Sequence, residues 1–98
     1  MNIDEHKFAG IDLNLLVVFM VMFREQSVSK SAEYLHVQQP AVSGSLVRLR
    51  HCFDDPLFLR AGRGMRPTSR AIEIATALLP AMSIIGAVIS GDMPNGFS

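Results

Sequence analysis

Apolar side chains recur at every third or fourth position in two neighbouring short segments, at Val28, Ala32 and Leu35 and again at Val42, Leu46 and Leu49. This spacing predicts two short helices, each with one buried face. The residues between the two stripes, around 36–38, are too few for anything but a sharp turn. The pattern therefore predicts a helix-turn-helix, a motif whose second helix can enter the major groove of DNA.

The face of the second helix opposite its buried stripe carries the candidate chemistry. It presents Pro40, Ser43, Gly44, Val47, Arg48 and His51, with Gln38 and Gln39 at its start. Glutamine can pair with adenine through two hydrogen bonds, serine can bond many base edges, and arginine binds guanine or phosphate. Glycine leaves room for the backbone to approach DNA, and valine offers a surface to a thymine methyl group. In an isolated helix the simpler interpretation is a solvated polar face. The surrounding sequence is therefore needed to decide between a solvated face and one that contacts DNA.

A β-hairpin is predicted directly downstream of this helix. Two short extended segments, 57–59 and 65–67, flank the stretch Arg60-Ala-Gly-Arg-Gly64, in which two glycines permit a tight reversal. The hairpin, or wing, would carry Arg60, Arg63 and Arg66 at or near its tip. Arginine suits a narrow minor groove, where the negative potential is enhanced, and it also binds adjacent phosphates. The alternative is a mobile basic loop with no specific partner.

A long final helix is predicted over 69–90, with Thr68 as its N-cap. The N-terminus of this helix could also hold a phosphate, because helix N-termini favour anions. Two adjacent apolar seams run along the helix, so it needs two covering surfaces, and the short chain supplies only one. The helix is therefore predicted to form a homodimer through Ile72, Ala75, Leu78, Leu79, Met82, Ile85 and Ile89. The alternative is a larger monomeric core.

Charge is unevenly distributed along a chain that is neutral overall. The 98 residues carry nine basic and nine acidic side chains, but residues 24–70 carry eight basic side chains against four acidic ones. The field at the docking surface governs phosphate binding, so a neutral total is compatible with a nucleic-acid partner.

Several classes of site and location are disfavoured. His51, Cys52 and Asp54 project from a helix in different directions, so they do not pair a nucleophile with its base. The three histidines lack metal-ligand spacing. The single cysteine fits a reducing compartment, and the longest apolar run, over 15–23, is nine residues, against the roughly 20 that span a bilayer. We therefore predict a cytoplasmic protein that is not an enzyme, has no cofactor, metal or membrane partner, and carries Cys52 as a partly buried thiol.

Seven motifs follow one another in a characteristic order along residues 11–82. They are Asp12-Leu-Asn-Leu-Leu16, Gln39-Pro-Ala-Val-Ser43, Arg48-Leu-Arg50, Asp55-Pro-Leu-Phe58, Arg60, Gly62-Arg-Gly-Met65 and Pro67-Thr68. In this order they resemble the LysR-type transcriptional regulators of bacteria. The start at Asp12 and the Asp-Asp-Pro-Leu-Phe stretch are most similar to nodulation and aromatic-degradation regulators.

The resemblance implies a mainly α fold. A winged helix-turn-helix of three helices and a small two-stranded wing would occupy 1–67, a long dimerisation or linker helix 68–90, and a flexible tail 91–98. It also implies sequence-specific binding of double-stranded DNA at an inverted-repeat operator by a homodimer joined through the linker helix. In the family, a small-molecule inducer acts through an effector domain, which is absent from this chain. Gln38 and Gly44 depart from the usual serine or threonine and arginine, so no relative's operator sequence is carried over.

Two alternatives of a different class use the same features. A winged-helix protein-interaction module would dimerise through the last helix without binding DNA. A truncated chain could instead act in a dominant-negative way, by forming mixed dimers with a full-length regulator. The clustered arginines favour DNA binding.

Overall fold

The computed structural model describes residues 3–92, which form five helices and one small antiparallel sheet. In chain order the elements are α1 Glu5–Ala9, α2 Asn14–Glu25, α3 Val28–Leu35, α4 Gln39–Phe53, β1 Phe58–Ala61, β2 Gly64–Pro67 and α5 Ser69–Ser90. The expected mainly helical architecture is confirmed, including the two-stranded wing and the final helix. Of the expected tail over 91–98, only Gly91 and Asp92 lie within the described residues, and the division into domains stays a prediction.

The short helix α1 was not expected from the apolar pattern. Polar residues fill most of its five positions, and none of its side chains is buried. Its boundary is set locally, because the side chain of Asp4 accepts a hydrogen bond from the backbone amide of His6 at 3.1 Å. An N-cap residue without an apolar stripe is a weak sequence signal for a helix, so α1 was not predicted.

Caps and left-handed residues set the boundaries of α2, α3 and α4. Gln26 ends α2 with a φ of 53°, and His36 ends α3 with a φ of 57°. Ser27 begins α3, because its side chain accepts a hydrogen bond from the amide of Lys30 at 3.1 Å. Gln38 makes no such bond before α4, which instead has a proline in its first turn, where a missing amide hydrogen costs no helical bond. These tight junctions keep the three helices close together.

The core lies where α2, α3 and α4 meet the start of β1 and the first turns of α5. Phe19 of α2 is completely buried, and its ring centroid lies 5.6 Å from that of Phe58. The predicted inward side of α4 is buried, at Val42, Leu46 and Leu49. The same cluster includes three residues of α5, Ala71, Ile74 and Ala75. The wing and the long helix therefore share one core with the helix-turn-helix.

The turn between α4 and β1 holds an unusual backbone conformation. Leu57 has a φ of 63°, a left-handed value that is rare for a bulky residue, and its side chain is completely buried. One carboxylate oxygen of Asp55 accepts hydrogen bonds from the amide of Leu57 and from the hydroxyl of Thr68, both at 2.8 Å. The Nε of Arg50 donates to the carbonyl of Pro56 at 2.8 Å. The turn therefore fixes the start of the wing relative to α4 and α5.

Asp55→Ala is expected to destabilise the fold by about 1–3 kcal/mol, since it leaves the partly buried donors of Leu57 and Thr68 without their acceptor. Thermal and urea unfolding, followed by circular dichroism, measure the change. Asp54→Asn is the control, because Asp54 is exposed and asparagine tolerates its left-handed backbone, with a φ of 50°. Equal stability of the two variants would contradict the role assigned to Asp55.

Candidate nucleic-acid interface

The outward side of α4 is exposed along its length. The predicted contact residues on this helix are all accessible to solvent, namely Gln39, Pro40, Ser43, Gly44, Val47 and Arg48, as is Gln38 just before it. At Gly44, a side-chain Cβ would meet no other atom within 4 Å. The backbone of α4 is therefore open to close approach at this point.

The wing is docked against the junction between α2 and α3. The amide of Met65 donates a hydrogen bond to the carbonyl of Gln26 at 2.9 Å. Gly64 approaches the same carbonyl so closely that a Cβ at this position would lie 2.6 Å from the oxygen. Only glycine fits without displacement. Gly64 therefore sets the distance between the wing and the helix-turn-helix.

The register of the wing separates its three arginines. The turn consists of Gly62, with a φ of 57°, and Arg63, which stands at the tip. Arg60 pairs with Met65 across the ribbon. Because successive residues of a strand point to opposite faces, Arg66 lies on the face opposite Arg60. The wing therefore presents its arginines in different directions and not as one cluster.

A polar cleft separates the wing from the helix-turn-helix. Its walls carry polar side chains from three elements, namely Ser27 and Ser29 at the start of α3, Gln39 and Ser43 of α4, and Arg60 and Arg63 of the wing. The last four were predicted contacts, and the structure brings them to one place. The two serines were missed, since in the sequence they mark only the cap and first turn of a helix. Among residues 3–92, no acidic side chain lines the cleft.

Two of the predicted contact residues, Arg66 and Thr68, do not line this cleft. The oxygen of Thr68 accepts a hydrogen bond from the amide of Ala71 at 3.1 Å, and its hydroxyl donates to Asp55 at 2.8 Å. Thr68 thus caps α5 as predicted, and its side chain is engaged within the protein. A phosphate contact at this point would have to use backbone amides at the start of α5. The DNA roles of Arg66 and Thr68 stay predictions.

Three of the eight basic side chains in residues 24–70 are engaged within the protein. Arg24 forms an ion pair with Glu25 at 2.7 Å, and its hydrogen bond to this carboxylate raises the pKa of Arg24. Arg70 pairs with Glu73 at 3.4 Å, and Arg50 braces the turn after α4. The other five make no ion pair within residues 3–92, namely Lys30, Arg48, Arg60, Arg63 and Arg66. These cations are available to phosphates.

The end of α4 carries two exposed side chains, His51 and Cys52. The expectation of a partly buried thiol is therefore wrong, because the helix turns Cys52 away from its core side. Within residues 3–92, no group of three His, Cys, Asp or Glu side chains is arranged to hold a metal ion.

The second half of α5 extends beyond the core with its apolar side chains exposed. Of the predicted interface residues, Leu78 and Met82 are partly buried, and four are exposed, namely Ile72, Leu79, Ile85 and Ile89. Ala75 packs into the core of its own chain, so it offers no surface to a partner and drops out of that interface. By length and composition alone, α5 is also apolar enough to cross a membrane. The sequence argument against a membrane span considered only the longest uninterrupted apolar run, which lies in α2, and so it did not identify α5.

Comparison with known proteins shows what this arrangement is similar to. A family model described as bacterial regulatory helix-turn-helix protein, lysR family, matches residues 13–72. Nodulation protein D 2 of Sinorhizobium fredii is 42% identical over 90 residues, which are 91% of this chain and 29% of that protein. The transcriptional activator NahR of Pseudomonas putida is 49% identical over 72 residues, 74% of this chain and 24% of that protein. The chain spans about a quarter of the length of the curated relatives it matches.

Solved structures agree with the sequence relatives. A probable transcriptional regulator from Pseudomonas aeruginosa superposes with a TM-score of 0.82 at 39% identity, over 90% of this chain and 30% of that one. The BenM DBD in complex with benA site 1 DNA has a TM-score of 0.74 over 82% of this chain and 93% of that one. Its identity is 24%, so this second likeness concerns the fold alone.

Gly64→Ala is expected to lower stability by about 1–3 kcal/mol, because its methyl group collides with the carbonyl of Gln26 and forces the wing to move. Gly44→Ala is the matched control, since its Cβ meets no atom within 4 Å and alanine favours a helix by about 0.5–1 kcal/mol. Urea unfolding of both variants beside the wild type measures the two changes. If both substitutions changed the free energy of unfolding in the same direction, Gly64 would not make the assigned contact.

Proposed function

The chain belongs to the LysR family of bacterial regulatory helix-turn-helix proteins, and on this premise we propose that it binds double-stranded DNA in a sequence-specific manner. In this proposal it is the DNA-binding part of a transcriptional regulator, with α4 in the major groove and wing arginines at the minor groove or backbone. The observation that carries the proposal is the polar cleft, which joins the exposed side of α4 to Arg60 and Arg63.

Base recognition is assigned to the exposed side of α4. Gln39 and Ser43 are four residues apart, so they share one side of the helix and both reach the cleft. Gln39 suits an adenine, Ser43 can bond several base edges, and Arg48 can reach guanine or phosphate. The five cations without ion pairs supply the salt-dependent attraction to phosphates, which positions the protein but carries no sequence information.

A second part of the proposal is that α5 joins two copies of the chain. Exposed Ile72, Leu79, Ile85 and Ile89 form an apolar surface that a second copy of the same helix can cover. Contact between two identical surfaces produces a two-fold symmetric dimer. Such a dimer places its two α4 helices at half-sites about 34 Å apart, one turn of DNA. The corresponding DNA target is an inverted repeat.

Control by a small-molecule inducer is proposed to belong to a separate effector domain of the whole regulator, as the family resemblance implies. The chain corresponds to about a quarter of its curated relatives, so the inducer is assigned to no residue described in this structure. The cytoplasm, where bacterial DNA lies, is the proposed site of action.

A winged-helix interaction module that dimerises without binding DNA is not favoured. It accounts for the exposed side of α5. It gives no role to a cleft lined by Gln39, Ser43 and two arginines, or to the five cations that lack an ion pair within the described residues.

Binding-site selection from random duplex DNA tests the proposal directly. The chain is expected to enrich an inverted repeat and to bind it at least about 10³-fold more tightly than a scrambled duplex at the same salt concentration. If no sequence is enriched, and the weak binding that remains disappears at moderate salt, sequence-specific recognition is contradicted.

Gln39→Ala is expected to weaken binding to the selected duplex by about 1–3 kcal/mol and to leave binding to the scrambled duplex nearly unchanged. Arg63→Ala provides the contrast, because a lost phosphate contact weakens binding to both duplexes alike and lowers the salt dependence by about one charge. Titrations of both duplexes at several salt concentrations separate the two effects. Equal losses on both duplexes for Gln39→Ala would count against base recognition by this residue.

Ile85→Glu is expected to raise the dimer dissociation constant by at least about tenfold, because burying an isoleucine contributes about 1.5–3 kcal/mol and a charge opposes burial. Ile85 is exposed within a single chain, so the monomer fold is expected to stay intact. Ala77→Glu is the control, since Ala77 is exposed and the helical periodicity places it on the side of α5 away from this apolar surface. Analytical ultracentrifugation measures the change. A wild-type chain that is monomeric at micromolar concentration, or that partitions into lipid vesicles, contradicts the dimer.

A further inference from the structure

We propose that Ser29 is a further DNA-contact residue, which seats one backbone phosphate together with Arg60 and Arg63. The proposal rests on the DNA binding proposed above and adds a contact from α3, the first helix of the helix-turn-helix. Ser29 lines the same cleft as both arginines, although it lies in a different element. None of the predicted contact residues came from this helix.

The two serines of the cleft differ in what their hydroxyls already do. The Oγ of Ser27 accepts a hydrogen bond from the amide of Lys30 at 3.1 Å and so caps α3. The Oγ of Ser29 lies 3.1 Å from that of Ser27, and Ser29 is exposed. A hydroxyl has one hydrogen to donate and two acceptor sites. Ser29 can therefore accept from Ser27 and donate its own hydrogen to a ligand in the cleft.

The charge of the cleft favours an anion with several acceptor oxygens. Two guanidinium groups and the hydroxyls face it, and within residues 3–92 none of its lining residues is acidic. The planar fork of an arginine matches the oxygens of a phosphate. With α4 in the major groove, the strand that borders the groove passes between this helix and the wing. A backbone phosphodiester is therefore the occupant that fits both the chemistry and the position of the cleft.

Backbone contacts between the wing and the start of α3 position the proposed phosphate site without a ligand. Gln26 directly precedes the first serine of the cleft, and its carbonyl accepts the amide of Met65 at 2.9 Å. The close approach of Gly64 to the same carbonyl fixes the spacing between the wing and α3. Because the parts of the cleft are already in position, binding a phosphate there loses little conformational entropy.

Ser29→Ala is expected to weaken binding to both the selected and the scrambled duplex by about tenfold, because a hydrogen bond to a charged phosphate is lost. Its salt dependence is expected to stay unchanged, since no cation is removed. Ser29→Asp is expected to weaken binding further by repulsion, without loss of thermal stability, because an acidic residue in the first turn of a helix is favourable.

Lys7→Gln is the charge control, since it lowers the net charge by the same one unit as Ser29→Asp but lies in α1, outside the cleft. It is expected to bind DNA like the wild type. A double-mutant cycle between Ser29→Ala and Arg63→Ala adds a second readout. If both residues contact one phosphate, the combined loss is smaller than the product of the separate losses.

Four outcomes overturn this inference in whole or in part. Wild-type binding by Ser29→Ala, or a loss for Lys7→Gln equal to that for Ser29→Asp, removes the contact while DNA binding itself stands. Independent losses in the double-mutant cycle place Ser29 and Arg63 on different phosphates and overturn the shared seat. If the wild-type chain binds neither duplex, the proposed function fails and this inference fails with it.

Discussion

The carboxylate of Asp55 is the point on which the relative placement of α4, the wing and α5 depends. One of its oxygens bonds both the amide of Leu57 and the hydroxyl of Thr68. Leu57 takes a left-handed conformation and buries its side chain, and such a conformation persists only where the surrounding contacts hold it. Thr68 in turn caps α5. A single acidic side chain therefore links the end of α4 to the start of the wing and to the start of α5.

The fold was largely predictable because its main signals are local. Apolar spacing marks the buried side of α4, and Thr68 marks the start of α5, so both helices were expected where the structure has them. The wing followed from two glycines between short extended segments. Helix α1 was missed, because Asp4 caps a helix that has no apolar stripe. The left-handed Leu57 was missed as well, since its conformation is held by Asp55 and by Thr68, which belongs to another element.

Four of the six polar side chains that line the cleft were predicted from the sequence, but their arrangement in space was not. That Arg60 and Arg66 lie on opposite faces of the ribbon follows from strand register, which the sequence alone leaves open. The cleft exists because Gly64 reaches the backbone of Gln26, a contact between distant positions that no periodicity marks. The same limit applies to charge. The excess of basic residues in the central block was visible in the sequence, but the structure shows which of them already have partners inside the protein.

A lipid bilayer or a second copy of the chain could cover the exposed apolar half of α5. The length of helix that lies beyond the core decides between them. Ala71, Ile74 and Ala75 lie in the core and Leu78 packs against it, which leaves the 12 residues 79–90 of this helix beyond the core. Spanning a bilayer takes about 20 residues, so insertion would require α5 to withdraw its first turns from the core and to break the cap at Thr68. A second copy of the chain covers the same apolar side chains without either change. The proposed dimer therefore keeps the connection through Asp55, and it would present two polar clefts to one DNA duplex.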